Sequence, residues 1–337
     1  MKVSIIGATA YTSLELIRLL LRHPAVEIVH LGGRREGNPS ISSIFPSLKG
    51  LCEMRLSGLD PSDAPREPDV AFFTLPHQVS HQYVPRYLEA AVRCIDFSAD
   101  YRLRDRAIYE AHYGEHGDAD NLPRAVYGIP ELFREEIAGS SLVANPGCYP
   151  TSVILALAPL VAEGLLDVSG VVVDSKSGVS GRGNKPSPGS MYCECNENIS
   201  PYKVGSHRHA PEMEQGLELL GGEDADILFV PHLVPMDRGI LSTIYVDLAG
   251  SVTQKTLRNR YEDYYGEERF VRIMPGGEQP ATKNVAGTNF CDIAVTLVGD
   301  RKAVVSSAID NLARGAAAQA VQNMNASFRL EEHLGIL

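Results

Sequence analysis

The sequence is poor in cysteine, in long apolar runs and in positive charge, and each shortage excludes something. Six cysteines in 337 residues are too few for a dense disulfide framework and fit free thiols in a reducing compartment. The longest apolar stretch, Val153 to Ala162, is far short of the roughly 20 residues that cross a bilayer. The opening "MKVSIIGATA" goes straight into a strand and has no apolar core followed by a cleavage site, so no secretory signal is read. Lys and Arg number 31 against 42 Asp and Glu, for a net charge of −11. A nucleic-acid surface, which needs clustered cations, is therefore not expected. A small anionic substrate needs only a few local cations and stays open. A cytoplasmic protein with neither membrane nor nucleic-acid partners is the expectation.

What is present is an ordinary globular composition, 44% hydrophobic and 22% charged, at a length that suggests about two domains. The first half alternates β-rich runs with helical patterns. "KVSIIGA", "VEIVHL", "DVAFFTL", "RCIDFS" and "SLVAN" read as strands, and "SLELIRLLLRH" as a helix. His77 to Ala91 reads as a further helix, bent at Pro85. Such alternation predicts a parallel sheet with helices on both faces. The second half reads as strands joined by long loops, from "GVVVDSKSGVS" to "KAVVSSAID", which predicts an α+β domain on a largely antiparallel sheet. The fold class is thus α/β, a Rossmann-like dinucleotide-binding domain plus an α+β catalytic domain. The expected boundaries are 1–147 for the first, joined by a C-terminal helix over about 306–337, and 148–305 for the second.

"GATAYTS", Gly7 to Ser13, stands where a dinucleotide phosphate loop follows the first strand and opens the first helix. There the backbone N–H groups of a helix N-terminus hold a pyrophosphate. Of the three glycines in G-x-G-x-x-G only Gly7 remains, since Ala10 and Ser13 occupy the other places; Ser13 is expected to cap the helix and donate to phosphate. After the second strand, "GGRR" puts Arg34 and Arg35 where an acid would read a ribose 2′-hydroxyl. Arginine there suits a 2′-phosphate, so NADP is expected over NAD. A solvated basic turn is the plainer alternative.

Cys148 lies in "ANPGCYPTSVILALAPL", ahead of an apolar helical run. A lone cysteine is more often a buried small hydrophobe than a catalyst. With Pro150 in the first turn, however, the thiol would face the positive end of a helix dipole, which favours thiolate. In "HRHAPEMEQGL", His209 precedes a helix opened by Pro211. Glu212, three residues on, could accept from one ring nitrogen and leave the other for acid–base work. Two surface histidines are the plain alternative. Cys193, Cys195, His207 and His209 form C-x-C…H-x-H, a spacing foreign to common zinc sites. Arg102, Arg182, Lys185, Lys203, Arg208 and Arg238 together could make an anion pocket.

These motifs, with "LPH", "DFSADYRL", "YGIPEL", "SGVSGRG", "NENISPY", "PHLVPMDRGILSTIYV" and "TKNVAGTNFCDI", run almost the length of the chain. As a set they resemble the N-acetyl-γ-glutamyl-phosphate reductases of arginine biosynthesis, relatives of aspartate-semialdehyde dehydrogenase. The resemblance implies NADPH-dependent reduction of an acyl phosphate through a thioester on Cys148, with His209 as acid–base residue supported by Glu212, and no metal. Gly7, Thr9, Ala10, Tyr11, Thr12, Arg34, Arg35, Ser98, Gly178, Ser180 and Asn289 would hold the cofactor. Arg102, Asn145, Arg182, His207 and Arg208 would face the substrate, and the enzyme would be a homodimer or homotetramer. The family loop usually carries glycine where this chain has Ala10 and Ser13, and often after "LPH", where it has Gln78. The rival readings are a sister reductase acting on carrier-bound aminoadipyl phosphate in lysine biosynthesis, a Cys–His hydrolase, and a nucleotide-binding regulator.

Overall fold

A computed structural model describes residues 1–61, 67–184, 186–222 and 224–337. The chain divides into two compact units, Met1–Pro146 with Ala316–Leu337, and Gly147–Gly315.

In the first unit the strands are β1 (Lys2–Ile6), β2 (Glu27–Gly32), β3 (Val70–Phe73), β4 (Arg93–Asp96), β5 (Ala125–Tyr127) and β6 (Leu142–Ala144). They form one sheet in the order β2-β1-β3-β4-β6-β5, every pair parallel. β3 is buried along its whole length, as its unbroken apolar sequence requires of a central parallel strand. The order reverses between β1 and β3. Their carboxyl ends therefore frame the topological switch point, where doubly wound sheets bind ligands. The main helices of this half are α1 (Tyr11–Leu20), α2 (Val84–Glu89) and α3 (Pro130–Gly139). The single helix expected over His77 to Ala91 is instead a 3₁₀ turn, Ser80–Gln82, followed by α2. Pro85 lies in the first turn of α2, where a missing N–H costs nothing, so it starts the helix rather than bending it.

The C-terminal helix Ala318–Ser327 belongs to this unit and is buried on every side despite its glutamines and asparagines. Their NH₂ groups find partners inside the unit. Gln319 and Asn323 donate to Gly128 O (2.6 and 2.9 Å), Asn323 also donates to Asn145 Oδ1 (3.0 Å), and Asn325 Oδ1 meets His23 Nε2 (2.9 Å). The helical reading from Ser306 is corrected: β13 runs to Ile309, and the first helical turn, Ala313–Ala317, is a π-turn. The boundary expected at 305/306 thus falls inside a strand, because "KAVVSSAI" is still paired to both neighbours there.

The second unit carries β7 (Val171–Ser177), β8 (Ser200–Pro201), β9 (Ile227–Leu233), β10 (Ile240–Asp247), β11 (Val271–Ile273), β12 (Cys291–Val298) and β13 (Lys302–Ile309). The order is β11-β12-β13-β10-β7-β9-β8. Among the described residues only β7–β9 and β11–β12 are parallel pairs. The unit's main helices are α4 (Cys148–Ala162), α5 (Ala210–Glu218) and α6 (Gln254–Tyr265). α4 packs on β10, β12 and β13 and against α5 and α6, and it is apolar around its whole circumference, as a helix enclosed on all sides must be. Ser152 anchors it to the sheet. That hydroxyl bonds Ser242 (2.6 Å) and Ser307 (2.9 Å), and Ser242 bonds Ser175 (2.8 Å), so a buried hydroxyl chain fixes α4 on three strands.

Candidate active site

Gly147 is the N-cap of α4 and Cys148 its first residue, so the cysteine begins the helix rather than preceding it, and Pro150 falls in the first turn. Cys148 is partly exposed at the end of an otherwise buried helix. The turn before it is held from another helix: the Gly147 N–H donates to Glu212 Oε1 at 2.7 Å. Glu212 lies in the first turn of α5 and is 1% exposed. That oxygen therefore holds the cysteine turn.

His209 is the N-cap of α5, and its backbone N–H donates to His207 Nδ1 at 3.2 Å. The two rings meet edge to face at 4.9 Å between centroids, and Tyr149, Tyr202 and Phe229 enclose His207. Burial, with Lys203 and Arg208 adding to it, pushes His207 down to about 4. His207 is thus a neutral ring whose Nδ1 accepts and whose Nε2 carries the proton. The Tyr149 and Tyr202 hydroxyls bond each other at 2.9 Å. Burial raises both phenols, and Cys148 adds to the rise in each, which sets the sulfur beside this pair.

Arg182 stacks over Tyr202 at 5.2 Å, and burial with Arg208 and Arg182 lowers Lys203. Arg182, Lys203 and Arg208 therefore form one cationic neighbourhood beside His207. Such a cluster can take a carboxylate or phosphate. Lys185, expected among them, lies outside the described residues. Arg238 is used differently from that expectation: it pairs with Asp310 through Nε (2.9 Å) and Nη2 (3.1 Å). Among the described residues no group of three or more His, Cys, Asp or Glu side chains could hold a metal ion. Cys193 is exposed, and the Cys195 thiol donates to Gly189 O at 3.1 Å.

Asp310 and its neighbour organise the loops expected at the nicotinamide, and sequence reasoning missed both. Asp310 is fully buried. Besides Arg238 it accepts from Gly287 N (2.6 Å), Leu312 N (2.8 Å) and Ala313 N (2.9 Å). Asn311 accepts from Gly239 N (2.7 Å) and donates to Ser180 Oγ (3.0 Å), which itself donates to Asp237 O (2.6 Å). The Gly178 N–H donates to Gly239 O at 2.9 Å. Ser180 and Asn289 are both nearly buried. The available signal was local: an Asp-Asn pair directly ahead of an alanine-rich helix is a capping pattern.

In the first unit, Gly7 has φ +99°, and a Cβ there would come within 2.7 Å of Thr74 O. Only glycine fits. Ala10 is the N-cap of α1 with extended backbone, and its methyl leaves the N–H groups of the first turn, Tyr11 and Thr12 among them, without a side-chain cap. The chain's alanine is therefore compatible with the loop. Ser13 is corrected: it is buried and donates to Gly7 O (3.0 Å) and Thr74 Oγ1 (2.9 Å), which pins the loop to the end of β3 rather than capping α1. Thr9 is half-buried and its N–H turns back to Gly7 O at 2.7 Å. Arg34 and Arg35 are exposed past β2, and Arg34 donates to the Tyr83 hydroxyl at 3.1 Å.

Three further residues are placed as scaffold. Ser98 is buried and donates to Asp96 Oδ2 at 2.6 Å. Arg102 is buried and donates to Asn145 O (2.8 Å) and Phe97 O (2.6 Å), where a substrate contact was expected. Asn145 is buried too, and its amide donates to Ala316 O at 3.1 Å. An arginine and an asparagine inside a polar motif do not reveal in sequence that they also serve three backbone carbonyls. Gln78 takes φ +66°, a backbone conformation that favours glycine, and its backbone N–H is held by Asp100 Oδ1 at 2.8 Å.

Comparison with known proteins agrees with this geometry. Residues 2–140 match the semialdehyde dehydrogenase NAD binding domain, and residues 148–311 match the semialdehyde dehydrogenase dimerisation domain. The chain is 47% identical to the N-acetyl-gamma-glutamyl-phosphate reductase of Desulforapulum autotrophicum, over 99% of this chain and 97% of the relative. It is 49% identical to the protein of that name from Geobacter sp. strain M21, over 100% of this chain and 98% of the relative. Its fold is shared by aspartate semialdehyde dehydrogenase II from Vibrio cholerae, with TM-score 0.74 at 16% identity over 97% of this chain and 98% of that one. The chain is an oxidoreductase that belongs to the N-acetyl-gamma-glutamyl-phosphate reductase family of the semialdehyde dehydrogenases.

Proposed function

We propose that the chain reduces N-acetyl-L-glutamyl 5-phosphate to N-acetyl-L-glutamate 5-semialdehyde with NADPH, a step of arginine biosynthesis, through a thioester on Cys148. The observation that carries the reading is the cysteine turn: a partly exposed thiol at the first position of a buried helix, tied by Glu212 to the helix that His209 caps. The names of the relatives support the substrate.

Cys148 sits in the positive field of the α4 N-terminus, which stabilises a thiolate. The sulfur attacks the acyl carbonyl, the bond from carbon to the phosphate oxygen breaks, and phosphate leaves with the electron pair. When bound, NADPH supplies the hydride that reduces the acyl carbon. Protonated His209 holds its proton toward the developing oxyanion, and Cys148 departs as thiolate when the carbonyl re-forms as aldehyde. Arg182 and Arg208 take the substrate's anionic groups, beside the neutral His207. The dinucleotide fits the first unit's own geometry: Gly7 permits close approach, the first turn of α1 presents N–H groups from Tyr11 and Thr12, and Arg34 with Arg35 read the 2′-phosphate. Thr9 and Ala10 line that loop, and within the first unit Ser98 shapes the backbone on the cofactor side while Arg102 and Asn145 hold it for the substrate. Within the second unit Gly178, Ser180 and Asn289 belong to the loops assigned to the nicotinamide. A homo-oligomer formed through the second unit is supported by that unit's family description and by exposed Leu228 and Tyr245 on β9 and β10.

The test is intact-protein mass spectrometry with acyl phosphate in the absence of NADPH. An acyl adduct should appear on Cys148 and disappear when NADPH is added. Cys148→Ser should abolish reduction and leave NADPH binding intact. Appreciable reduction by that variant would refute the covalent route, and preference for the aminoadipyl analogue would refute the substrate.

A further inference from the structure

The nucleophile's backstop lies 167 positions away in sequence, in the π-turn Ala313–Ala317. A Cβ built on Gly315 would lie 2.6 Å from the Cβ of Cys148, 3.2 Å from its Cα and 3.5 Å from Asp310 O. Real Cβ atoms do not approach so closely, and the neighbour here is the first atom of a side chain on a rigid helix, which cannot swing away. Gly315 is not among the glycines with positive φ. Its backbone suits any residue, and alanine would even favour the helical state. The absent side chain is therefore required by space at Cys148 and not by backbone conformation.

The turn is held in place. The Gly315 N–H donates to Asp310 O at 2.8 Å, five residues back, and the Asp310 carboxylate is itself anchored by Arg238 and three backbone N–H groups. π-turns recur at functional sites because one extra residue re-aims the backbone. Here the widened turn brings a bare Cα against the base of the reactive side chain.

We propose that Gly315 is a positioning residue for Cys148: its hydrogen-only face seats the cysteine Cβ and thereby fixes where the sulfur points. The inference rests on Cys148 being the nucleophile. Gly315→Ala shifts Cβ by some tenths of an ångström and re-aims Sγ, and displacements of about 1 Å at a reacting atom cost on the order of a hundredfold. The acylation rate of Cys148 should fall by about 10- to 100-fold, with the KM for NADPH changed less than twofold. The pH profile for alkylation of the Cys148 peptide, followed by mass spectrometry, should shift as well, because the sulfur no longer occupies the same place at the helix end.

A background that removes the opposing atom isolates the cause. In Cys148→Gly, adding Gly315→Ala should leave the melting temperature and NADPH affinity where Cys148→Gly alone puts them, whereas in the native background it should lower the melting temperature. This double variant also serves if Gly315→Ala alone does not fold. An unchanged acylation rate and pH profile in Gly315→Ala, or equal thermal losses in both backgrounds, would overturn the proposal. Failure of the nucleophile reading is separate, since it shows as activity retained by Cys148→Ser.

Discussion

Replacing Asp310 by asparagine tests whether one buried carboxylate holds the second unit's loops together. The carboxylate accepts four hydrogen bonds and makes one further ion contact. Oδ1 receives Arg238 Nη2, Leu312 N and Ala313 N, and Oδ2 receives Gly287 N and lies 2.9 Å from Arg238 Nε. An amide has one oxygen. In its better orientation it keeps the three bonds at Oδ1 and turns NH₂ toward Gly287 N–H and Arg238 Nε, so that donor faces donor. Removing one partner of a buried ion pair costs about 3–5 kcal/mol. Arg238 is 22% exposed and recovers some hydration, which places the expected loss at the lower end, about 3 kcal/mol. At about 2–4 °C per kcal/mol for a unit of this size, the melting temperature should fall by roughly 6–12 °C. Calorimetry of the full chain would measure it, with Asp247→Asn as control: that carboxylate is 62% exposed and lies 3.6 Å from Lys302, a surface pair whose loss should be hardly measurable. If Asp310→Asn melts no lower than Asp247→Asn, the carboxylate does not hold these loops and the hydrogen-bond argument fails.

Two other outcomes follow from charge. Replacing Arg34 and Arg35 by alanine should raise the KM for NADPH and leave that for NADH nearly unchanged; equal losses would mean that neither arginine reads the 2′-phosphate. His207 takes up its proton near pH 4 in the folded chain and near 6.5 when unfolded. As pH falls through that window the unfolded chain binds the proton first, so stability present above about 6.5 is lost toward 4. Denaturant titrations across this range should show a shallower slope for His207→Asn than for the native chain, and identical slopes would remove His207 from the acid response.

The parts that were legible in sequence are those written in local pattern. Unbroken apolar runs such as Val70–Phe73 announce central parallel strands. A Pro-Gly-Cys turn ahead of thirteen buried helical positions announces a cysteine at a helix start. The parts that were not legible depend on partners far away in the chain. Nothing near Arg102 says that its guanidinium serves Asn145 O, 43 residues on, and nothing near Glu212 says that it reaches back 65 residues to Gly147. Ser13 misled for a related reason. A serine in the first turn of a helix has the composition of a cap, but Thr74 at the end of the neighbouring strand draws its hydroxyl inward. The helix reading from Ser306 failed because "VVSSAID" satisfies both periods, and only pairing with β10 and β12 decides for strand.

The structure also gives the two histidines of the His-Arg-His triplet different surroundings. His207 is enclosed by aromatic rings and tethered through Nδ1 by the backbone N–H of His209, with two cations nearby that oppose its protonation. A ring that binds its proton only near pH 4 holds almost none at neutral pH, so it cannot serve as the acid that protonates an alkoxide. What it can do is donate from Nε2 and fix the backbone at the start of α5. His209 has the complementary position: its backbone caps α5, the helix whose first turn also carries Glu212, and Glu212 holds the N–H of Gly147, the residue before Cys148. In the proposed mechanism His209 and Cys148 are thus linked through one helix and one carboxylate. On that proposal the acid–base work goes to His209 and positioning to His207, and His209→Asn should slow turnover by about 10²–10⁴-fold, with an unchanged rate refuting the assignment.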